Sequence, residues 1–188
     1  MAKQIQPPHQ AFYIHGLMFN TRSALNAIER FDAMNPDDPE SHRAILNCLQ
    51  EIVSYTAAIS KFFWPQDEKK CKWRGDQLKK AFQIEDDSPL GPRTLRNSLE
   101  HLDERLDKFF KTEFAGYIYP EFVGTSGGDD GVATCFFRAY FSDTGEYRIL
   151  NDVFDVSAVR DAIADLNDKL ERADANGGCL PTHRENNA

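Results

Sequence analysis

Apolar residues recur along most of this chain at three- and four-residue steps, the spacing that lines one face of an α-helix. Over residues 11–34, Ile14, Leu17, Met18, Leu25, Ile28 and Phe31 follow it. Asn35-Pro36-Asp37-Asp38-Pro39 interrupts that helix. Asp38 suits the N-cap of the next one, with Pro39 at its first helical position. There Ile45, Leu49, Ile52, Val53, Thr56, Ile59 and Phe63 share one side. Pro65 should end the helix near Trp64, because the residue before a proline avoids helical geometry. A third, shorter helix is expected over 71–84, with Trp73, Leu78, Ala81 and Phe82 as its apolar set. After a loop at 85–89, Leu95, Leu99, Leu102, Leu106, Phe109 and Phe110 form the clearest repeat of all and predict a fourth helix over 92–114.

Beyond Gly116 the period changes. Gly124-Thr125-Ser126-Gly127-Gly128-Asp129-Asp130-Gly131 reads as a flexible linker: it lacks phosphate-loop spacing, and its aspartates would repel phosphate. Residues 132–141 and 147–154 are rich in aromatic and β-branched side chains, and Asp143-Thr144-Gly145-Glu146 sits between them, which predicts a β-hairpin. Two strands alone are marginal, so the hairpin must pack on the helices or on a second copy. Asp155 or Ser157 then caps a last helix that turns Val159, Ile163, Leu166 and Leu170 inward and ends at Gly177-Gly178. The expected organisation is a flexible N-terminus over 1–10, a helical bundle over 11–116, a β-hairpin plus closing helix packed on it over 117–173, and a disordered tail over 174–188. The fold class is mainly α, an antiparallel helical bundle with an added β-hairpin and a C-terminal helix.

Composition narrows the partners. A net charge of −8 argues against extended DNA binding and against an anionic membrane surface, yet leaves room for a local RNA site built from a few cations. No stretch approaches the roughly 20 apolar residues of a membrane span, and the N-terminus has no signal-peptide character, so a cytoplasmic protein is expected. Cys48, Cys71, Cys135 and Cys179 are too scattered for a zinc site and read as reduced thiols. No metal and no cofactor is expected. The basic run Lys69, Lys70, Lys72, Arg74, Lys79 and Lys80 reads as a solvated helix face.

One short motif carries chemistry. The fourth helix contains Arg96-Asn97-Ser98-Leu99-Glu100-His101. On a helix Asn97 and His101 lie about 40° apart, and Arg96 flanks them at about 140° from His101, away from the leucine stripe. This pattern, Arg followed by a polar residue with His five places after the Arg, resembles the HEPN superfamily of helical-bundle proteins, many of them metal-independent ribonucleases in toxin–antitoxin, CRISPR and antiviral systems. The resemblance covers the motif and a helical frame of about 100 residues; everything from Val132 onward falls outside it. It implies a homodimer in which two copies of Arg96, Asn97 and His101 share one cleft, RNA as substrate, and a neutralising protein partner such as an antitoxin. Residue chemistry suits that role. Imidazole titrates near pH 6.5 and can take a proton from the 2′-OH or give one to the leaving 5′-oxygen. A guanidinium fork matches phosphate oxygens. The competing reading of the same residues is an ordinary solvated face, Arg96 pairing with Glu100 or Asp103.

Other candidates are secondary. His15 is expected to be partly buried on the first helix, and His42 has no ligand at metal spacing. Tyr117 and Tyr119 could stack on a base or serve core packing. Asp152, Asp155, Asp161, Asp165, Asp168 and Glu171 suggest a solvated face of the last helix. The alternative function is a non-catalytic dimerisation or partner-binding module whose hairpin aromatics, such as Phe136 and Tyr140, form the interface.

Overall fold

The computed structural model of the chain describes residues 3–91, 102–111, 115–127 and 132–182. Among these the fold is mainly α-helical. Helix α1 spans Pro7–Asp32, a single 3-10 turn covers Pro39–Ser41, and helices α2 and α3 span His42–Phe63 and Glu68–Phe82. Helix α4 is Leu102–Phe109. Strands β1 (Tyr117–Gly124), β2 (Thr134–Phe141), β3 (Glu146–Ile149) and β4 (Asp152–Asp155) follow, and helix α5, Val156–Ala175, closes the fold.

Local chemistry sets the helix ends. Pro7 and Pro8 occupy the first turn of α1, where a missing N–H costs nothing. Asp38, Asp67 and Asp155 each cap a helical start by accepting a backbone N–H, from Glu40, Lys70 and Ala158. The α2–α3 corner is tight: a Cβ on Gly75 would lie 2.3 Å from the Phe63 carbonyl oxygen, so only glycine fits there.

Helix α1 lies against both α2 and α5, and α3 packs on α2. The core joins Ile14, Leu17 and Ile28 of α1 to Leu49, Ile52 and Phe63 of α2 and to Ile163, Leu166 and Leu170 of α5. One buried polar contact crosses it: the Thr21 hydroxyl donates to Asn167 Oδ1 at 2.8 Å, and Asn167 Nδ2 donates to Glu171 at 3.1 Å.

The β region departs from the sequence reading. Instead of a two-stranded addition there is a four-stranded mixed sheet in the order β1-β2-β3-β4. Strand β1 pairs parallel to β2, from Tyr117 opposite Thr134 to Gly124 opposite Phe141. The stretch read as one strand over 147–154 is two short antiparallel strands, folded back at Leu150, which takes a left-handed φ of 53° and donates its N–H to the Phe137 carbonyl. The sheet rests on the helices through Tyr140, which meets Phe31 edge-on at 5.2 Å, and through Gln50, whose Oε1 accepts from Arg138 Nε at 3.3 Å and from the Tyr147 hydroxyl at 3.5 Å.

Both chain ends also differ from expectation. Ile5 is buried and its N–H donates to Gln77 at 2.8 Å, so the segment before α1 is held rather than free. Helix α5 runs on to Ala175, and the residues after it dock, with buried Leu180 donating its N–H to Gln10 at 2.8 Å. Residues 183–188 of the expected tail and 128–131 of the glycine-rich linker lie outside the described residues.

Burial pushes the Tyr147 hydroxyl up to about 12 from its ordinary 10.0. A raised folded-state value favours the native state in full below pH 10, and that contribution disappears as pH rises through about 12. The loss should amount to about 3 kcal/mol. Urea unfolding across this range should therefore show wild type losing stability more steeply than Tyr147→Phe; parallel curves would contradict it.

Candidate active site

Arg96, Asn97 and His101 lie outside the described residues, as do Leu95 and Leu99 of the helical stripe. The described chain resumes at Leu102, the residue after His101, as helix α4. Leu102 packs against the core. One turn on, Arg105 forms an ion pair with Asp152 at the start of β4, both side chains being largely covered at 25% and 15% exposure. Positions 102 and 105 are i, i+3 neighbours and share one side of the helix. Hydrophobic contact and ion pair thus bind α4 to the body of the protein along one edge. Asp152 was expected on a solvated face of the last helix; it instead lies on β4, because that helix starts only after Asp155. Asp155 caps it, Asp165 pairs with Lys169 at 2.6 Å, and Glu171 pairs with Arg22 at 3.5 Å.

Just past α4 the chain exposes aromatic surface. Phe110 is 70% exposed, Tyr117 53%, Ile118 58% and Tyr119 40%. Among the described rings Phe110 meets only Phe109, at 5.8 Å, whereas ring contacts join the two tyrosines to further aromatics of the sheet. Tyr117 lies 6.5 Å from Tyr119, and Tyr119 stacks on Phe136 at 5.6 Å with 20° between planes. Phe136 touches Phe122 at 5.2 Å and Phe141 at 5.3 Å, and the Arg148 guanidinium covers Phe141 at 4.6 Å. The series grades from exposed Tyr117 to buried Phe141. Of the two aromatics assigned to an interface in the non-catalytic reading, Tyr140 is half-buried against Phe31, and its hydroxyl is pushed up by burial. Cys135, beside Phe136, has its thiol pushed up by burial too.

The remaining candidates have local roles. His15 is exposed rather than partly buried, because it follows inward Ile14 by about 100° of helical turn, and it faces Asp174 at 3.3 Å. His42 Nε2 meets the Pro36 carbonyl at 2.9 Å at the entrance to α2. In the basic run, Lys70 pairs with Asp67 at 3.3 Å, Lys79 with Asp86 at 2.7 Å, and Arg74 donates to the Lys61 carbonyl at 3.0 Å. Hydrogen bonding to Lys79 holds the Asp86 carboxyl below its ordinary value. Among the described residues no three His, Cys, Asp or Glu side chains converge on a metal position, and no helix is long and apolar enough to cross a membrane.

No protein-family model, curated protein or solved structure matches the chain.

Two features were missed by sequence reasoning, strand β1 and the Arg105–Asp152 link. The first had a faint signal, the alternation of Tyr117, Tyr119 and Glu121, masked by Pro120. The second, spanning 47 positions, had none. Replacing Arg105 by Ala leaves the Asp152 carboxylate covered and unpaired, and should cost about 1–3 kcal/mol. Adding Asp152→Ala should recover part of that loss. A denaturation cycle over the four variants measures the coupling, and additive losses would show that the pair does not anchor α4.

Proposed function

We propose that this chain is a HEPN-like, metal-independent endoribonuclease that works as a homodimer, with its helices forming an antiparallel bundle of that type and with a role in toxin–antitoxin or phage-defence biology in the cytoplasm. The observation that carries the reading is the sequence Arg96-Asn97-Ser98-Leu99-Glu100-His101 running directly into helix α4, where Leu102 packs against the core and Arg105 pairs with Asp152 of the sheet. A catalytic pair needs a backbone that does not drift, and in this reading the motif would draw that steadiness from the helix that follows it in the chain.

In this reading His101 exchanges protons with the attacking 2′-OH and the leaving 5′-oxygen. Arg96 stabilises the charge that builds on the phosphorus oxygens. Asn97 orients the imidazole or touches the phosphate. Two such helices across a two-fold axis complete the cleft. The products are a 2′,3′-cyclic phosphate and a 5′-OH, and DNA, without a 2′-OH, is spared. Exposed Tyr117 and Tyr119, a few residues beyond the same helix, support RNA as substrate, because tyrosine faces stack on unpaired bases. A second reading, a non-catalytic docking module, draws on the same exposed surface, since Tyr117, Ile118 and Tyr119 would also suit a protein partner.

Incubated with single-stranded RNA, the purified protein should cleave it with or without EDTA, leave matching DNA intact, and lose at least about a hundredfold in rate in His101→Ala and in Arg96→Ala. Undiminished cleavage in His101→Ala would sink the nuclease assignment. Tyr119→Ala should weaken RNA binding by about 1–3 kcal/mol, read as a higher KM at unchanged kcat. An unaltered KM there would take this residue out of substrate binding.

A further inference from the structure

On the side of the molecule built by the ends of α3 and α5, a cavity of about 490 Å³ opens beneath the segment that follows α5. That size falls within the roughly 300–1000 Å³ of small-molecule sites. Its floor is apolar, from Ala81 and Phe82 of α3, Ala173 of α5, and Leu180. The wall formed by the last described residues is fixed in place, because Leu180 is buried and hydrogen-bonded to Gln10, itself buried.

The charges around the cavity are one-sided. Among the described residues its lining includes Lys169 and Arg172 and no Asp or Glu, in a chain whose net charge is −8. The two cations stand at i, i+3 on α5 and so share a face. Lys169 is held by Asp165 at 2.6 Å, whereas Arg172 makes no ion pair among the described residues. Basic residues at a helix end commonly satisfy its last carbonyls. Here that need is already met by backbone. The Arg172, Ala173 and Asp174 carbonyls accept N–H groups from Asn176, Gly178 and Gly177. At the end of α3, the Lys79 carbonyl accepts from Ile84, with Gln83 in the left-handed region at φ 53°. The side chain of Asn176 adds an amide donor at the cavity rim.

We infer that this cavity is a binding site for a small organic anion, its phosphate or carboxylate head held by Arg172 and Lys169 and its apolar body lying on Phe82, Ala173 and Leu180. The site is independent of the nuclease reading and shares no residue with it.

The test uses the full chain, labelled with ¹⁵N and titrated with phenyl phosphate, benzoate and, as a cation of similar shape, benzylamine. Saturable shifts are expected at the Ala173, Asn176, Leu180 and Thr182 amides with an aromatic anion and not with benzylamine, and whichever anion binds more tightly identifies the preferred head group. Arg172→Glu, on an exposed helical position, should weaken binding by about tenfold or more while leaving the spectrum elsewhere unchanged. Arg172→Gln should fall between it and the wild type. An equal response to benzylamine, an unchanged affinity in Arg172→Glu, or the lack of shifts at these amides with either anion would overturn the assignment.

Discussion

The fold depends on the demand of α1 to be covered on two sides. Its buried residues, Ile14, Leu17, Met18, Ala24, Ala27 and Ile28, span more of the helix circumference than one neighbour can hide. Helix α2 covers one part, and the other must wait for α5, more than a hundred residues later in the chain. Ala24 and Ala27 keep the approach close. The Thr21–Asn167 hydrogen bond, buried at both ends, fixes the alignment, because sliding either helix by one position would strand two polar groups in the core. The chain can close only when its last helix has arrived, so everything between α3 and α5 must be accommodated as an outgrowth whose ends meet the same core.

That outgrowth is the sheet, and it serves two masters. Toward the helices it presents Val123, Tyr140, Tyr147, Ile149 and Phe154 to the core or its margin, and Gln50 of α2 meets two of its side chains with a single carbonyl oxygen. Through Asp152 on the far strand it holds Arg105, and with it the helix that continues the Arg96–His101 motif. The near strand, β1, is an edge whose first five residues are exposed. Pro120 sits in it, as prolines do where no ladder donor is needed, and blunts that edge against pairing with another strand. One layer therefore holds the helix that follows the motif in the chain and displays the exposed rings of Tyr117 and Tyr119 on its edge strand.

Helices α1, α2, α3 and α5 were legible because burial against one core imposes a single period on them, whereas the helix expected over 92–114 ends at Phe109, with no buried residue in its described part and Phe110 exposed. Every inward residue assigned to α2 and α5 is buried, and the starts of α1 and α3 were misplaced only by a few residues, where prolines and an Asp cap act before the apolar pattern begins. The sheet was legible in part. Residues 132–141 announced a strand by composition, but β1 did not, since its first five residues are all exposed and burial is reached only near its end, at Val123. The turn at Leu150 was hidden for a different reason: an apolar residue in a left-handed conformation, held by a hydrogen bond to a distant strand, leaves no glycine or proline as a marker. The motif itself was visible only through its resemblance to a family. What anchors the helix beyond it came from a contact between Arg105 and Asp152 that no local pattern encodes.

Charge then decides how the proposed RNA substrate would be met. With a net charge of −8 the whole-molecule field repels a polyanion, so long-range steering cannot assist the encounter, and salt should reduce affinity less than it does for a basic RNA-binding protein. Recognition has to come from forces that act at contact: stacking on aromatic faces and a few fixed guanidinium groups. Both are short-ranged, and both gain from pairing two copies, because a dimer doubles the local contacts without changing the sign of the distant field. In the proposed nuclease, a composite cleft would gather those short-range contacts in one place, where they could outweigh the unfavourable distant field.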